Sequence, residues 1–392
     1  MWNLDIKIKI SDNDSLEIYN IQEYNKLTQL KNTINEATNI LDWDKAKKLI
    51  NPYELVYTPN RKLKFDSIAD HNPLSRAYFK IWEILQIFSD TNPFLKDNRE
   101  IKTAHIAEGP GGFMEALINF RNNKKDTLYG ITLYSCNKDI PGWKKTYNLL
   151  KQNPNIHVVY GKDGTGNIYN PENILDFQTY VGVNDADIVT ADGGFDFSFD
   201  FNKQEHHAIK LIYCEIVTAL AVQKVGGMFV CKLFDLYTIF TVKLMYLIKS
   251  LYSEVRFFKP STSRPANSEK YLVATGFKGI DPLYLQQLIN VIHIWNHVEK
   301  QNKFIIDVFS NNIPYDFYRT IDVYNINCFK IQETYINKTM SILKNNCSIS
   351  YSKILIQHQI KNAINWCIRN NIPINIKSYF IKYLTDNDEI TS

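Results

Sequence analysis

Apolar and polar residues alternate at the start of the chain, where Leu4-Asp5-Ile6-Lys7-Ile8-Lys9-Ile10 has the period of two of a half-buried strand. Polar helical segments follow through Glu23, Leu30 and Leu49, and Asn51-Pro52-Tyr53 and Asn60-Arg61-Lys62 carry turn and linker chemistry. After the turn signal Asn72-Pro73, the stretch Ser75–Leu85 sets Ala77, Ile81, Ile84 and Leu85 at helical spacing and leaves Lys80 flanking that face. From Thr103 onward strands alternate with helices. The strand candidates are Thr103–Ala107, Thr127–Thr132, Ile156–Tyr160, Asp187–Ala191, Gly227–Lys232, Glu254–Lys259 and Lys270–Phe277. Ile188-Val189 and Met228-Phe229-Val230 are continuous apolar runs, the mark of inner strands covered on both faces. A long helix over Glu205 to Lys224 is predicted to end at Gly226-Gly227, a C-terminal cap signal. Beyond Ile280 the strand signal disappears, and helices are predicted at Tyr284–Lys300, Cys328–Leu343, Lys353–Arg369 and Ile374–Leu384. The pattern predicts an α/β protein with a doubly wound sheet. Residues 1–60 form an N-terminal extension, 61–280 the central domain and 281–392 a helical C-terminal appendage with an acidic, disordered tail at Thr385–Glu389.

The composition is that of a folded protein: of 392 residues 45% are hydrophobic and 22% charged, with 24 Tyr and 22 Phe, which excludes a disordered chain. Charges interrupt every apolar run before the roughly 18 residues of a membrane span. Met1-Trp2-Asn3-Leu4-Asp5 lacks the basic start and apolar core of a secretory signal, which predicts an intracellular protein with no membrane partner. Cys136, Cys214, Cys231, Cys328, Cys347 and Cys367 form no CxxC pair and read as reduced thiols, so no metal site is expected. The net charge of +4 is mild, and any nucleic-acid contact is expected to be a local basic surface.

Candidate chemistry begins at Thr103–Phe113, where a strand enters the glycine turn Gly109-Pro110-Gly111-Gly112 and then the apolar run Met114 to Phe120. A strand, a glycine turn and a helix N-terminus form a cradle whose unpaired N–H groups can face a polar ligand. In an open α/β sheet ligands bind beyond the carboxyl ends of the parallel strands. Asp192 and Lys232 end two of those strands, and Glu269 opens the last, which reaches the same edge if it runs antiparallel. Asp192 is equally compatible with a turn before Gly193-Gly194, and Lys80 with a solvated lysine. Phe195, Phe197, Phe199 and Phe201 alternate with polar residues and suit either core packing or base stacking. Arg264, Lys259, Lys270, Lys203 and Lys210 are candidates for phosphate contact. His293 and His297 share a helix face without completing a metal motif, and Tyr284, Leu288, Ile292 and Trp295 form that helix's packing stripe.

The chain resembles the FtsJ-like (RrmJ-type) 2′-O-methyltransferases, and more closely their mRNA cap-specific branch. The likeness rests on Ser75–Leu85, Glu108–Phe113, Tyr129–Leu133, Asp163–Asn167, Pro171–Ile174, Thr190–Phe195, Cys231–Asp235 and Thr262–Glu269, in that order. It implies a Rossmann-like seven-strand methyltransferase sheet with an antiparallel last strand, S-adenosyl-L-methionine as cofactor and the 5′ end of capped mRNA as partner, alongside other capping enzymes. It carries over a Lys-Asp-Lys-Glu tetrad as Lys80, Asp192, Lys232 and Glu269, with Lys232 as proton acceptor. Burial or the Lys80 cation would make Lys232 neutral, while Asp192 and Glu269 oppose that shift. By the same likeness Gly109, Gly111, Gly112 and Phe113 face the methionine and ribose of the cofactor, Thr132 and Leu133 its ribose and adenine, Asp163 the adenine amino group and Asp192 the methionine end. Thr132-Leu133 departs from many relatives, which carry an acid there. Arg264, Asn267 and Ser268 lie in the most specific segment and are implied to bind substrate. Glu108 and Tyr213–Thr218 look like enzymes of the second transcribed nucleotide, Ser263–Glu269 like those of the first. Methylation of an rRNA or tRNA ribose and a non-catalytic RNA-binding subunit are the alternative functions. The implied location is the nucleus or cytoplasm, or a virion or viral factory for a virus-encoded protein.

Overall fold

The computed structural model describes residues 4–35, 40–58, 67–137, 140–195, 200–345 and 349–381. In chain order the elements are β1 (Ile6–Ser11), α1 (Ile21–Asn35), α2 (Ile40–Ile50), α3 (Ala77–Phe88), β2 (Lys102–Ile106), α4 (Gly112–Arg121), β3 (Thr127–Ile131), α5 (Tyr147–Gln152), β4 (Ile156–Val159), α6 (Pro171–Val181), β5 (Ala186–Ala191), α7 (Gln204–Val222), β6 (Gln223–Leu233), α8 (Ile239–Leu251), β7 (Tyr252–Phe258), β8 (Lys270–Phe277), α9 (Pro282–Glu299), β9 (Phe304–Phe309), α10 (Tyr315–Asn345) and α11 (Ile349–Arg369). No helix among the described residues is long and apolar enough to cross a membrane.

The seven predicted strands form one sheet in the order β4-β3-β2-β5-β6-β8-β7. Strands β2 to β6 run parallel, and β8 inserts antiparallel between β6 and β7, as expected for the methyltransferase fold. Because side chains alternate across a strand, each inner strand feeds two cores. Phe229 and Cys231 pack with α6, α7, α8 and α9 on one face. Met228 and Val230 join Ile188, Tyr271 and Val273 under α3, α4 and α11 on the other. Burial on both faces explains why these strands read as unbroken apolar runs. The chain winds outward from β2 to β4 and then returns to the other side of β2 with β5, so the strand order reverses between β2 and β5, where such sheets bind ligands.

Three expectations change. Helix α7 stops at Val222, and Gln223 is already extended, so Gly226-Gly227 is not its cap. Gly227 instead lets β6 pass close to β5, where a Cβ would stand 2.7 Å from the Asp187 carbonyl oxygen. The C-terminal region contains a strand: β9 pairs antiparallel with β1, with Ile10 opposite Ile305. Its partner lies far away along the chain, so no local pattern announces it. The predicted Cys328–Leu343 helix is the second half of α10, and the expected helix at Ile374–Leu384 does not start at Ile374, which forms a bridge with Ala69. Tyr284, Leu288, Ile292 and Trp295 are all buried on α9, as their spacing predicts. Asn60-Arg61-Lys62, Phe197, Phe199 and the Thr385–Glu389 tail lie outside the described residues.

Terminal segments pack beside the loop that precedes β8. Leu30 and Ile34 of α1 and Trp43 of α2 form a core with Ile336 and Met340 of α10. The buried Glu54 takes a bidentate pair from Arg264, at 2.9 Å from Nε and 2.7 Å from Nη2, and also accepts from Asn51 and Thr58. Burial pushes the Glu54 carboxyl up, but Arg264 more than offsets this and holds it below the usual range. Replacing Glu54 by Ala leaves the enclosed guanidinium without its carboxylate, a change expected to cost about 3–5 kcal/mol. Denaturant unfolding measures this, and a loss below about 1 kcal/mol, the value of an exposed pair, would show that the pair does not anchor the 260–269 loop.

Candidate active site

Register and parity decide which side chains meet. Asp192 follows β5 with the parity of Ile188, Lys232 ends β6 with that of Met228 and Val230, and Glu269 precedes β8 with that of Tyr271 and Val273. All three therefore project toward the face covered by α3, where Lys80 sits one turn into the helix and is 5% exposed. Lys80 Nζ lies 2.7 Å from Glu269 Oε1 and 2.8 Å from Oε2. Lys232 Nζ donates to the Asp192 carbonyl at 2.7 Å and stands 3.3 Å from its Oδ1. Tyr271, opposite Lys232 in the ladder, donates its hydroxyl to Asp192 Oδ1 at 3.2 Å, and Ser263 donates to Glu269 Oε1 at 2.8 Å. The four predicted residues thus form two joined ion pairs.

Burial opposes every charge here, and the outcome differs by residue. Burial pushes Glu269 up, but the ammonium groups of Lys80 and Lys232 outweigh it and hold the carboxyl far below its ordinary range. Burial draws Lys80 down despite Glu269 and Asp192. For Lys232 burial also acts downward, yet Asp192, Glu269 and Glu215 together exceed it and leave the ammonium above its ordinary range. The competition anticipated for Lys232 is therefore won by the carboxylates, and the ligand-free protein keeps it protonated.

In the sequence Glu215 stands only within the Tyr213–Thr218 likeness and is assigned no place at the site, although a carboxylate inside the largely apolar stretch Ile209–Val222 is itself a signal. It reaches the site from the opposite face: its Oε1 accepts the Gly193 N–H at 2.8 Å and its Oε2 the Cys231 thiol at 3.8 Å. A Cβ on Gly193 would stand 2.3 Å from that carboxylate, and one on Gly194 3.0 Å from Lys232 Nζ, so the Gly193-Gly194 turn lets both groups close on the Asp192 segment.

The glycine turn occupies the crevice where the strand order reverses. Gly111 caps α4 at φ 98°, a conformation suited to glycine. A Cβ on Gly109 would lie 2.6 Å from the Gly142 carbonyl, and one on Gly112 2.3 Å from Ser75 Oγ. The Phe113 side chain is buried against Tyr271 and is not open to the crevice. Thr132 is buried and Leu133 half-exposed at the end of β3, against the Asp163–Gly166 loop, whose Thr165 carbonyl accepts the Tyr134 N–H at 2.7 Å. Asp163 is exposed and accepts from Thr165, Asn170 and Asn173, which hold its carboxyl well below the usual range. Beneath the turn, His105 contacts Thr190 Oγ1 at 2.8 Å and Thr190 donates to Glu108 Oε2 at 3.2 Å, a fully buried chain. A helix N-terminus, an exposed carboxylate and the open apolar edge of Leu133 and Tyr160 fit a ligand that joins an anionic head to an aromatic amine.

The basic candidates separate. Lys259 is half-buried, donates to the Asn267 and Glu269 carbonyls at 2.7 and 2.6 Å, and is pushed down by desolvation to about 8. Lys270 is buried beside Asp235, and Lys210 is tied to Asn296 and Glu299. These three are structural, not surface lysines, because their polar ends meet partners inside the fold. Lys203 remains exposed. Arg264, Asn267 and Ser268 line a pocket beside Glu269 that also includes Trp43, Lys47 and Arg76. His293 and His297 are exposed, and no group of three possible metal ligands occurs among the described residues.

Comparison with known proteins agrees with this geometry: the FtsJ-like methyltransferase description matches residues 73–277. The chain belongs to the FtsJ-like methyltransferase family. It is 32% identical over 322 residues to the cap-specific mRNA (nucleoside-2′-O-)-methyltransferase 1 of Xenopus laevis, which covers 77% of this chain and 36% of that protein. The mouse protein of the same name is 35% identical over 267 residues, covering 62% of this chain and 30% of its own. The mouse cap-specific mRNA (nucleoside-2′-O-)-methyltransferase 2 is 28% identical over 296 residues, covering 68% and 36%. The FtsJ-like chain spans about a third of the length of these relatives.

Burial pushes the Glu215 carboxyl up to about 8, against the pull of Lys232 and the Gly193 N–H. Between its ordinary 4.5 and about 8 the folded protein keeps a proton that the unfolded chain releases, so this group lowers stability as pH rises through that window. Glu215→Gln is expected to flatten the dependence in denaturant titrations across this range. Parallel curves for the variant and the natural protein would contradict the placement.

Proposed function

We propose that this protein is an S-adenosyl-L-methionine-dependent methyltransferase that methylates the ribose 2′-hydroxyl of a nucleotide next to the 5′ cap of mRNA. The observation that carries this reading is the convergence of Lys80, Asp192, Lys232 and Glu269 from four elements in a family whose relatives are named for that reaction. A 2′-hydroxyl is a poor nucleophile, so it must be aligned with an electrophile and relieved of its proton during transfer.

When bound, S-adenosyl-L-methionine supplies an electrophilic methyl on a positively charged sulfur. The Gly109–Phe113 turn and Asp192 hold its amino-acid portion, and Thr132, Leu133 and Asp163 hold its nucleoside. Glu269 and Lys80 orient the ribose and fix Lys232 through their shared charge. Lys232 Nζ accepts the hydroxyl proton as the amine, after a positive charge beside it has lowered its pKa against Asp192 and Glu269. Arg264, Asn267 and Ser268 wall the substrate pocket, with Arg264 serving through its pair with Glu54 as well as its surface.

Lys232→Ala is expected to fold and bind the cofactor while losing about 10²–10⁴-fold in turnover, the usual worth of a positioned proton acceptor. Near-normal turnover would remove Lys232 from that role. Since the free protein holds the Lys232 proton, kcat/KM should rise with pH from neutral into the alkaline range, and a flat profile would assign proton removal elsewhere. Labelled cofactor with matched capped and uncapped transcripts tests the substrate: capped RNA should be methylated and uncapped RNA not. Equal labelling points to an internal rRNA or tRNA ribose, and no RNA-dependent turnover to a non-catalytic subunit. Nuclease digestion and mass spectrometry then place the methyl on the first or second nucleotide.

A further inference from the structure

Asp235 lies three residues past Lys232 and is 4% exposed. Its Oδ2 accepts from Ser268 Oγ at 3.1 Å, and its Oδ1 stands 3.8 Å from Lys270 Nζ. Ser268 and Lys270 are the two neighbours of Glu269, so this one carboxylate grips the chain on both sides of the residue that pairs with Lys80. Gln332 of α10 donates to Ser268 Oγ and to the Ala266 carbonyl, each at 3.4 Å, behind the same segment.

The closest cation to Asp235 comes from outside the family-matched residues. Lys31 of α1 is 4% exposed, and its Nζ donates to Asp235 Oδ2 at 2.6 Å and to the Phe201 carbonyl at 3.0 Å. Phe201 stands at the far end of the segment that leaves Asp192. Lys31 thus ties together the chain after Asp192, the chain after Lys232 and both flanks of Glu269. Burial pushes the Asp235 carboxyl up, and Lys31 and Lys270 outweigh it to keep it ionised. A buried carboxylate deprived of its closer cation takes up a proton or draws in the other one, and either response shifts the Ser268–Lys270 backbone.

We propose that Lys31 is a positioning residue for the methyl transfer: acting through Asp235, it sets where Glu269, and therefore Lys80, stand relative to Lys232. The N-terminal helix is then part of the catalytic apparatus. The inference rests on the methyltransferase reading above, and one of its tests does not depend on activity.

The experiment compares Lys31→Met, Lys31→Gln and Lys31→Arg with the natural chain by thermal unfolding, S-adenosylhomocysteine binding, steady-state turnover on capped RNA and amide hydrogen exchange. Lys31→Met is expected to lower kcat on the order of 10- to 100-fold, the scale of a small misplacement at the reacting centre. Homocysteine-cofactor affinity should stay within about twofold, since the glycine turn lies elsewhere. Exchange should quicken at residues 262–270 and 200–203 while β2, β3 and β4 keep their protection. Lys31→Arg should recover most of kcat and slow exchange again, and Lys31→Gln, which keeps a donor without the charge, should fall between. If Lys31→Met does not fold, the Gln and Arg variants carry the same comparison. Unchanged kcat and exchange would overturn the proposal, as would a uniform loss of protection across the sheet in all three variants. An inactive natural protein would refute the methyltransferase reading alone, and the exchange pattern would still decide whether Lys31 holds the Glu269 segment.

Discussion

Two ammonium groups and two carboxylates are withdrawn from water at one edge of the sheet, and each is tolerable only because its partner is within reach. Removing one member of such a set leaves a buried charge that costs several kcal/mol. The pairing of Lys80 with Glu269 and of Lys232 with Asp192 therefore constrains everything around it. It needs α3 laid over the β5–β6–β8 face, and it needs β8 to run against β6 so that Glu269 starts where Lys232 ends. A parallel β8 would carry Glu269 to the opposite edge and leave Lys80 buried alone.

The same constraint explains the terminal segments. The loop before Glu269 is held by groups that belong to neither β6 nor β8: Glu54 on Arg264, Lys31 through Asp235 on Ser268, and Gln332 on Ser268. The outer core of Leu30, Ile34, Trp43, Ile336 and Met340 keeps α1, α2 and α10 against that loop, and the β1–β9 ribbon joins the N-terminal strand to the strand that follows α9. Segments that look appended in the sequence thereby wall the pocket beside Glu269.

Charge balance also sets the state of Lys232. Asp192 after β5 and Glu269 in the loop before β8 are the main carboxylates around it, Glu215 of α7 adds to them from the opposite face once it ionises, and together they exceed the effect of burial. Glu215 reaches the site only because glycines follow Asp192, so the turn that orients Asp192 also admits this third acidic side chain. The resulting ammonium is a stable resting state. In the proposed reaction the neutral amine would be created by what binds.

Much of this was legible in the residues. The alternation of strands and helices, the inner strands and the packing stripe of α9 are local periodicities, and each element forms where its period falls. Asp192, Lys232 and Glu269 were legible too, since each stands at a strand end, whereas Lys80 lies inside α3 and was given its role only by the resemblance. Sequence could not supply which distant groups complete them. The strand Phe304–Phe309 needs β1 as partner, Lys259 and Lys270 become structural only when enclosed, and Lys31 and Gln332 sit on polar helices that resemble any solvated face. The Lys232 charge likewise depends on a difference between burial and three Coulomb interactions from separate elements. Periodicity and motifs are properties of neighbours along the chain, whereas pairing, burial and charge balance are set by distances in space, and only the tertiary structure decides those.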